Sequence, residues 1–319
     1  MKIAIVTPAR AASRTGNRHT AQRWAAMLRA AGHKVTLATE WRSGKPDVLF
    51  ALHARRSHAS ILRFRETHAD GKLVVVLTGT DLYRDINHDQ DAQRSLQMAQ
   101  RLVVLQEKGL QALPRRLRAK TRVIYQSAQV KAKVAPRGKV FRVCVLGHLR
   151  EEKDPFRAVL ALKHIAPAEK IELVHLGKAM SPEMAAQAAS LMAEEPRYRW
   201  LDVMPHWRAL AWLARSQLMV MSSRMEGGAN AIAEAACIGV PVLASAIPGN
   251  IGMLGADYPG YYPVADDKAL AKLLIKAMRH QAYYQSLKRG IAARRHLFRP
   301  QHEQASLLRL LRELASTPP

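Results

Sequence analysis

The residues best suited to chemistry stand in the second half of the chain, where two glutamates flank a glycine pair and the start of a helix. Gly227 and Gly228 permit a tight turn and a close approach of the backbone to a ligand. The free N–H groups that open the following helix favour an anion. Because ionised carboxylates only accept hydrogen bonds, Glu226 and Glu234 would hold hydroxyl groups on either side of a diphosphate. The pattern is typical of a site for a phosphorylated sugar, and a plain strand–turn–helix unit with solvated glutamates is the alternative.

A second candidate cluster follows the predicted strand Val140–Leu146. Gly147 and His148 open this loop, and Arg150 and Lys153 come shortly after them. Two cationic side chains could stabilise the negative charge that grows on a departing nucleotide diphosphate. The neighbouring acidic residues favour a second interpretation, a surface array of ion pairs.

The first half of the chain carries two basic clusters, each directly after a predicted strand. One follows Ile3–Val6 and the other follows Val48–Leu52. Arginine forks and a helix start suit an anionic substrate, although solvated basic loops would have the same composition. The candidate acceptor residues in these clusters are Arg10, Gly16, Asn17, Arg18, His19, His53, Arg55 and Arg56.

A third strand end in this half combines small residues with one carboxylate. The strand Leu73–Leu77 is followed by Thr78, Gly79, Thr80 and Asp81. Asp81 would either orient a cation or a sugar hydroxyl, or cap the next helix. Ligands in open α/β sheets bind outside the carboxyl ends of the strands, so these four residues join the candidate acceptor site.

Apolar strand-like runs alternate with helical patterns along the whole chain, which predicts an α/β fold. We expect a GT-B arrangement, with two Rossmann-like, doubly wound parallel-sheet domains that face a cleft. The predicted parts are an acceptor domain at 1–130, a linker at 131–139, a donor domain at 140–299 and a C-terminal helix and tail at 300–319. The tail helix, apolar on one side, is expected to dock back toward the N-terminal domain.

The composition indicates a globular protein whose surface attracts anions. The chain has 319 residues, 48% of them hydrophobic, and a formal net charge of +25. That charge would attract nucleotides, phosphates, nucleic acid or an anionic membrane. Met1 leads directly into a strand and every long apolar stretch is interrupted by charge, so a cytoplasmic protein is expected. Cys144 and Cys237 are interpreted as buried, reduced thiols.

Several familiar signals are weak or missing. Asp89 and Asp91 match the short D-x-D pattern, but a charged helix start explains them better, and no metal is predicted. The sequence contains no dinucleotide, Walker or nucleophile-elbow motif. Aromatic residues make up 6% of the chain and do not interleave with the basic loops, which disfavours stacking on single-stranded nucleic acid.

Taken together, these motifs resemble the family-4 retaining glycosyltransferases of GT-B fold. Gly32–Val35 resembles the family's G-H-x-V motif, Gly147–Lys153 its diphosphate loop, and Glu226–Glu234 its E-x7-E signature. The resemblance implies that Glu234 holds the nucleotide ribose and that Glu226 contacts the donor sugar.

By the same resemblance, the diphosphate would lie on the backbone N–H groups of Gly228, Ala229 and Asn230, with Lys153 clamping it. The chain departs from the family at two positions. His148 replaces the usual arginine, so Arg150 is expected to supply that charge, and Thr78 replaces a histidine that contacts the sugar.

Within this family, the chain looks most like the selenosugar synthases of selenoneine biosynthesis. The similarity lies in residues 1–10, 15–21, 52–58 and 77–84. It implies transfer of a sugar, expected to be N-acetylglucosamine, from a UDP-sugar to selenophosphate, which gives a 1-selenosugar, UDP and phosphate. The partners would be these two substrates and an enzyme that produces selenophosphate, without nucleic acid, membrane, metal or cofactor.

Two alternatives remain open from the sequence. One is an ordinary family-4 glycosyltransferase that uses a lipid or polysaccharide hydroxyl as acceptor. The other is a basic nucleic-acid-binding protein on a degenerate transferase fold. Selenophosphate arrives already anionic and needs no base to deprotonate it, which favours the selenosugar reaction.

Overall fold

The computed structural model describes residues 1–8, 16–130 and 140–316, and its strands form two six-stranded parallel sheets. The first sheet has the order β2-β1-β3-β4-β5-β6 and the second β12-β11-β10-β7-β8-β9, with numbering along the chain. The predicted α/β fold with two doubly wound sheets is confirmed. The strands are β1 Lys2–Val6, β2 Lys34–Ala38, β3 Val48–Leu52, β4 Lys72–Leu77, β5 Arg101–Val104, β6 Thr121–Val123, β7 Phe141–Leu146, β8 Ile171–Leu176, β9 Tyr198–Trp200, β10 Leu218–Met221, β11 Val242–Ser245 and β12 Tyr261–Tyr262.

Helices or helical turns connect most consecutive strands, because parallel pairing needs crossover connections, while β2 and β3 follow each other without a helix. The α-helices are α1 Gly16–Ala30, α2 His58–Thr67, α3 Ile86–His88, α4 Gln90–Met98, α5 Arg115–Arg118, α6 Arg157–Leu162, α7 Pro182–Glu194, α8 His206–Ala214, α9 Asn230–Ile238, α10 Pro248–Leu254, α11 Asp267–Arg279, α12 Gln281–Arg294 and α13 Pro300–Ser316. A π-helical turn spans Asp81–Asp85, and 3₁₀ turns span Glu107–Leu110, Glu151–Lys153 and Arg295–Phe298.

The central strands are continuous apolar runs because both faces of the first sheet are covered. In β3, Val48 and Phe50 pack in one cluster with Trp24 of α1, while Leu49 packs in a second cluster with Phe64 of α2. Alternate side chains of a strand point to opposite faces, so each cluster marks one face of the sheet. The apolar side of α13 joins the cluster of α1.

The chain divides into two compact units, each with one sheet. The first unit consists of Met1–Gln126, Glu226–Gly228 and Pro300–Pro319, and the second of Ser127–Met225 and Ala229–Arg299. The first unit therefore ends a few residues before the predicted border at 130. The backbone N–H of Ala128 donates to the carbonyl of Phe298 at 3.1 Å, which ties this stretch to the second unit. The predicted linker at 131–139 lies outside the described residues.

The two cysteines were expected to be buried, reduced thiols. Cys144 is buried and Cys237 half-buried, and both are free thiols. Burial raises the pKa of the Cys144 thiol to about 12.

Within 1–8, 16–130 and 140–316, no helix is both long enough and apolar enough to cross a membrane.

Candidate functional site

In the first unit, Asp81 shapes the loop at the carboxyl ends of β3 and β4. Its Oδ1 accepts from the N–H groups of Thr78 at 2.8 Å and Gly79 at 2.9 Å, and its Oδ2 accepts from Ala54 N–H at 2.9 Å. The residue is fully buried. Both carboxylate oxygens thus accept from the backbone and fix this loop, and a contact of Asp81 with the acceptor stays a prediction.

His53 occupies the same loop region with an unusual backbone conformation. Its φ of +75° lies in the left-handed region, which non-glycine residues seldom adopt, and its side chain is only 2% exposed. Its Nε2 lies 3.1 Å from Thr80 Oγ1, while the N–H of Arg56 donates to its Nδ1 at 3.3 Å. Burial lowers the pKa of His53, so the imidazole is neutral near neutral pH.

The first unit also brings Thr78 and Gly79 against the glycine pair of the predicted E-x7-E motif. A Cβ on Gly227 would stand 2.3 Å from the carbonyl oxygen of Thr78, so only glycine fits. Gly79 has a φ of +142°, which also favours glycine. Glu226, which precedes this contact, is 8% exposed. Residues far apart in sequence therefore meet at this loop.

Some buried polar side-chain atoms of the first unit lack a hydrogen-bond partner among the described residues. Arg18 Nε, Thr7 Oγ1 and Gln126 Oε1 are buried and have no hydrogen-bond partner. Arg18 lies in the first turn of α1, Thr7 directly after β1, and Gln126 donates through Nε2 to Thr20 of α1. Buried polar groups without partners are rare in folded proteins and can be completed by a bound ligand.

The other predicted acceptor residues have varied surroundings. Gly16 and Asn17 open α1, and His19 is exposed on its first turn. Arg55 is half-exposed and pairs with Asp89 at 3.1 Å. Arg56 is exposed, and Arg10 lies outside the described residues.

Sequence reasoning missed Thr7 and Gln126 as candidates because each is a single uncharged polar residue. The signal that could have found them is position, since both follow a strand of the first sheet. Asp89, part of the D-x-D match, caps α4 by accepting from Ala92 N–H at 2.8 Å. No cluster of three or more His, Cys, Asp or Glu suited to a metal ion occurs in the described parts of the chain.

In the second unit, α9 begins directly after the glycine pair, and its N-cap residue is an alanine. Ala229 is the N-cap residue and its methyl side chain cannot cap the first turn of this helix. Asn230 Oδ1 is buried and has no partner. The N-terminus of a helix is suited to a phosphate, and the binding of a diphosphate by Ala229 and Asn230 stays a prediction.

Gly147, His148 and Lys153 line one small pocket at the carboxyl end of β7. His175, Ser222 and Ser223 also line it and were not predicted as site residues. His175 is buried, and burial lowers its pKa to about 4. Its Nε2 lies 3.2 Å from the carbonyl oxygen of Gly147, to which the neutral ring donates. His175 thereby holds the loop that carries His148.

The remaining predicted donor residues are Arg150 and Glu234. Arg150 is exposed, and its Nε lies 4.0 Å from a carboxylate oxygen of Glu152, at the limit of an ion pair. Glu234, on α9, is 15% exposed and accepts from His206 Nε2 at 2.8 Å. The hydrogen bond with Glu234 raises the pKa of His206. This partner of Glu234 was not foreseen, because His206 belongs to another helix.

The sequence and the fold were compared with known proteins. The profile of the family described as glycosyl transferases group 1 matches residues 126–294, more than half of the chain. The chain therefore belongs to this glycosyltransferase family. A search of curated proteins finds no match.

Several solved structures share the fold along nearly the whole chain. Sucrose-phosphate synthase from Thermosynechococcus elongatus has a TM-score of 0.82, with 16% identity over 98% of this chain and 99% of its own. HepE from Anabaena, solved with UDP and glucose, has a TM-score of 0.79, with 15% identity over 98% of this chain and 100% of its own. A glycosyltransferase from Rickettsia africae has a TM-score of 0.74, with 13% identity over 99% of this chain and 98% of its own. These similarities establish the GT-B fold.

Proposed function

We propose that this glycosyltransferase transfers a sugar from a UDP-sugar to selenophosphate, with N-acetylglucosamine as the expected sugar. The observation that carries the proposal is the chemistry of the first unit's strand ends. Arg18 Nε, in the first turn of the helix that follows β1, is buried and unpartnered, while Asp81 and His53 are buried and hold other groups of the protein. A cationic site with its carboxylate already engaged suits an anionic acceptor better than a neutral hydroxyl.

The donor would bind to the second unit, with its diphosphate at the N-terminus of α9. Ala229 and Asn230 would contribute backbone N–H groups, and Glu234 would accept from the ribose hydroxyls. The nature of the nucleotide is supported by the fold relative HepE, whose structures hold UDP, UDP and glucose, or UDP-glucose. Glu226 would contact the transferred sugar, and Lys153 and Arg150 would stabilise the departing diphosphate.

In the proposed reaction, selenium forms a bond to the anomeric carbon while the bond from that carbon to the UDP oxygen breaks. The electron pair of the broken bond stays on UDP. Water then attacks phosphorus, a P–O bond replaces the Se–P bond, and the electron pair returns to selenium. The products are a 1-selenosugar, UDP and phosphate. Because selenophosphate is anionic from the start, the protein's task is to orient it and balance its charge.

The test is to incubate the protein with UDP-N-acetylglucosamine and either selenophosphate or a panel of lipid and polysaccharide acceptors. Mass spectrometry should find UDP, phosphate and the 1-selenosugar only when selenophosphate is present. Transfer to a hydroxyl acceptor with no selenosugar would refute the acceptor and support the ordinary glycosyltransferase. Neither product, together with retention on DNA, would support the nucleic-acid alternative.

Matched variants separate the roles of the basic residues. Arg18→Ala should raise the KM for selenophosphate about tenfold or more, because it removes a charged donor worth roughly 1.5–3 kcal/mol. Arg55→Ala should raise it less, since Arg55 is half-exposed and its charge is already balanced by Asp89. Arg18→Lys should also impair binding, because lysine keeps the charge and loses the planar fork. Equal KM values in wild type and Arg18→Ala would exclude Arg18 from the acceptor site.

His19 distinguishes the two kinds of acceptor. If a hydroxyl were the acceptor, this exposed imidazole of the first turn of α1 would be a candidate base, and His19→Ala would lower kcat. With selenophosphate, His19→Ala should change KM and leave kcat within about twofold. Initial rates of UDP release over a range of acceptor concentrations give both constants.

A further inference from the structure

His53 stands out because its backbone conformation is costly and its side chain has no access to solvent. Its φ is +75°, a value that glycine would adopt without a steric conflict. The residue follows β3 directly and is 1% exposed. Since a glycine would satisfy the backbone, the imidazole itself must have a task at this position.

The contacts of the ring determine which nitrogen carries the proton. Arg56 N–H donates to Nδ1 at 3.3 Å, so Nδ1 is an acceptor and the neutral ring has its hydrogen on Nε2. Nε2 lies 3.1 Å from Thr80 Oγ1, within reach of a hydrogen bond. The charged groups around the ring are Asp81 at 4.0 Å, Asp85 at 3.8 Å, Arg55 and Arg56. Neither aspartate is within hydrogen-bond distance of the ring.

Thr80 Oγ1 therefore accepts a hydrogen bond from His53 Nε2–H, and the hydroxyl hydrogen of Thr80 is left for another partner. Within the described residues, Thr80 Oγ1 makes no hydrogen bond other than the one with His53, and Thr80 is partly exposed. Its loop is fixed by Asp81, which holds Thr78 and Gly79 through their backbone N–H groups. The arrangement leaves one oriented hydroxyl donor at the carboxyl end of β4.

We propose that His53 is a positioning residue that holds the Thr80 hydroxyl as a hydrogen-bond donor to a phosphoryl oxygen of the acceptor. The inference rests on the proposed function, since it assigns part of that acceptor site. A hydroxyl that accepts from a fixed N–H group still has its own hydrogen to donate, which matches an anion that has acceptor oxygens and no donor.

Four single variants and one double variant test this chain of hydrogen bonds. His53→Gly removes the ring and introduces a residue that tolerates the positive φ of this position. His53→Gln also removes the ring but places a side-chain N–H donor near the position of Nε2. Thr80→Val removes the hydroxyl at nearly constant shape, and Thr80→Ser retains it. The measurements are kcat and KM for selenophosphate and for UDP-N-acetylglucosamine, with thermal unfolding to check that each variant is folded.

His53→Gly and Thr80→Val should each raise the KM for selenophosphate about tenfold and leave the KM for the UDP-sugar within about twofold. His53→Gln and Thr80→Ser should recover part of that loss. The double variant His53→Gly/Thr80→Val should be no worse than either single variant, because both act on one hydrogen bond. Independent, additive losses, or a Thr80→Val variant with wild-type KM, would overturn the inference.

Calorimetric titration with inorganic phosphate separates failure of this inference from failure of the proposed function. If wild type does not turn over selenophosphate but binds phosphate, and Thr80→Val and His53→Gly weaken that binding, the function is wrong and the site stands. If wild type turns over selenophosphate and the variants match it, the function stands and the inference is wrong. If wild type neither turns over selenophosphate nor binds phosphate, both are wrong.

Discussion

Carboxylates have two different tasks in this chain, and burial distinguishes them. Asp81 and Glu303 are fully buried and hold backbone, indole or guanidinium groups of the protein. Glu234 keeps some exposure and has an exposed partner, His206, so a ligand could compete for its oxygens. We therefore propose Glu234 as the carboxylate that binds the ribose, and we expect the buried carboxylates to stabilise the fold.

At the level of single residues, Glu234→Ala should weaken UDP binding about tenfold or more, because the ribose loses a charged acceptor worth roughly 1.5–3 kcal/mol. Calorimetric titration with UDP measures the effect. Glu194→Ala is a suitable control, since Glu194 forms an exposed pair with Lys163 on the same unit. Equal UDP affinity in wild type and Glu234→Ala would rule out this role.

His206 should make stability depend on pH. The hydrogen bond with Glu234 raises its pKa, so protonation favours the folded state. That stabilisation is complete below the ordinary imidazole value of about 6.5 and disappears as pH rises through the raised pKa. His206→Gln should thus lower the free energy of unfolding more at about pH 5.5 than at about pH 9. Urea unfolding at both pH values tests this, with the exposed His88→Gln as control.

At the level of elements, α13 is held to α1 by a buried carboxylate. Glu303 accepts from Arg23 Nε at 2.7 Å and from Trp24 Nε1 at 2.7 Å. Because α1 also carries Arg18, this contact fixes the helix that opens the candidate acceptor site. The C-terminal helix therefore supports a site to which it contributes no residue in our assignment.

Glu303→Ala should lower the free energy of unfolding by about 3 kcal/mol, because Arg23 and the buried Trp24 N–H lose their acceptor. Glu313→Ala on the same helix is the control. Its pair with Arg122 is partly exposed, so its loss should be about 1 kcal/mol or less. Denaturant unfolding compares the two, and similar losses would show that the buried contact is not special.

At the level of the whole molecule, the net charge of +25 should accelerate encounters with anionic substrates. Raising salt from about 20 to about 300 mM shortens the Debye length several-fold, so kcat/KM should fall for both UDP-sugar and selenophosphate. Steady-state rates at several salt concentrations measure this, with sucrose at equal osmolality as control. A kcat/KM that is independent of salt would show that the charge does not steer these substrates.

The sequence by itself determined the fold class and most of the strands. Continuous apolar runs such as Val48–Leu52 and Leu73–Leu77 indicate strands buried on both faces, and their alternation with helical patterns indicates a parallel sheet. The short strands β9 and β12 were not predicted, because two or three residues give no periodic signal and their pairing with neighbours defines them.

Only the tertiary structure decided which side chains remain free for a ligand. Asp81 and Arg18 look equally suited to binding in the sequence. In the structure, the carboxylate of Asp81 accepts hydrogen bonds from backbone N–H groups, whereas Arg18 has a buried Nε without a partner. The contact of Gly227 with Thr78 and the bond from His206 to Glu234 likewise join residues far apart in the chain. Residue types and local spacing follow from sequence, whereas hydrogen-bond partners between distant segments depend on how the chain packs.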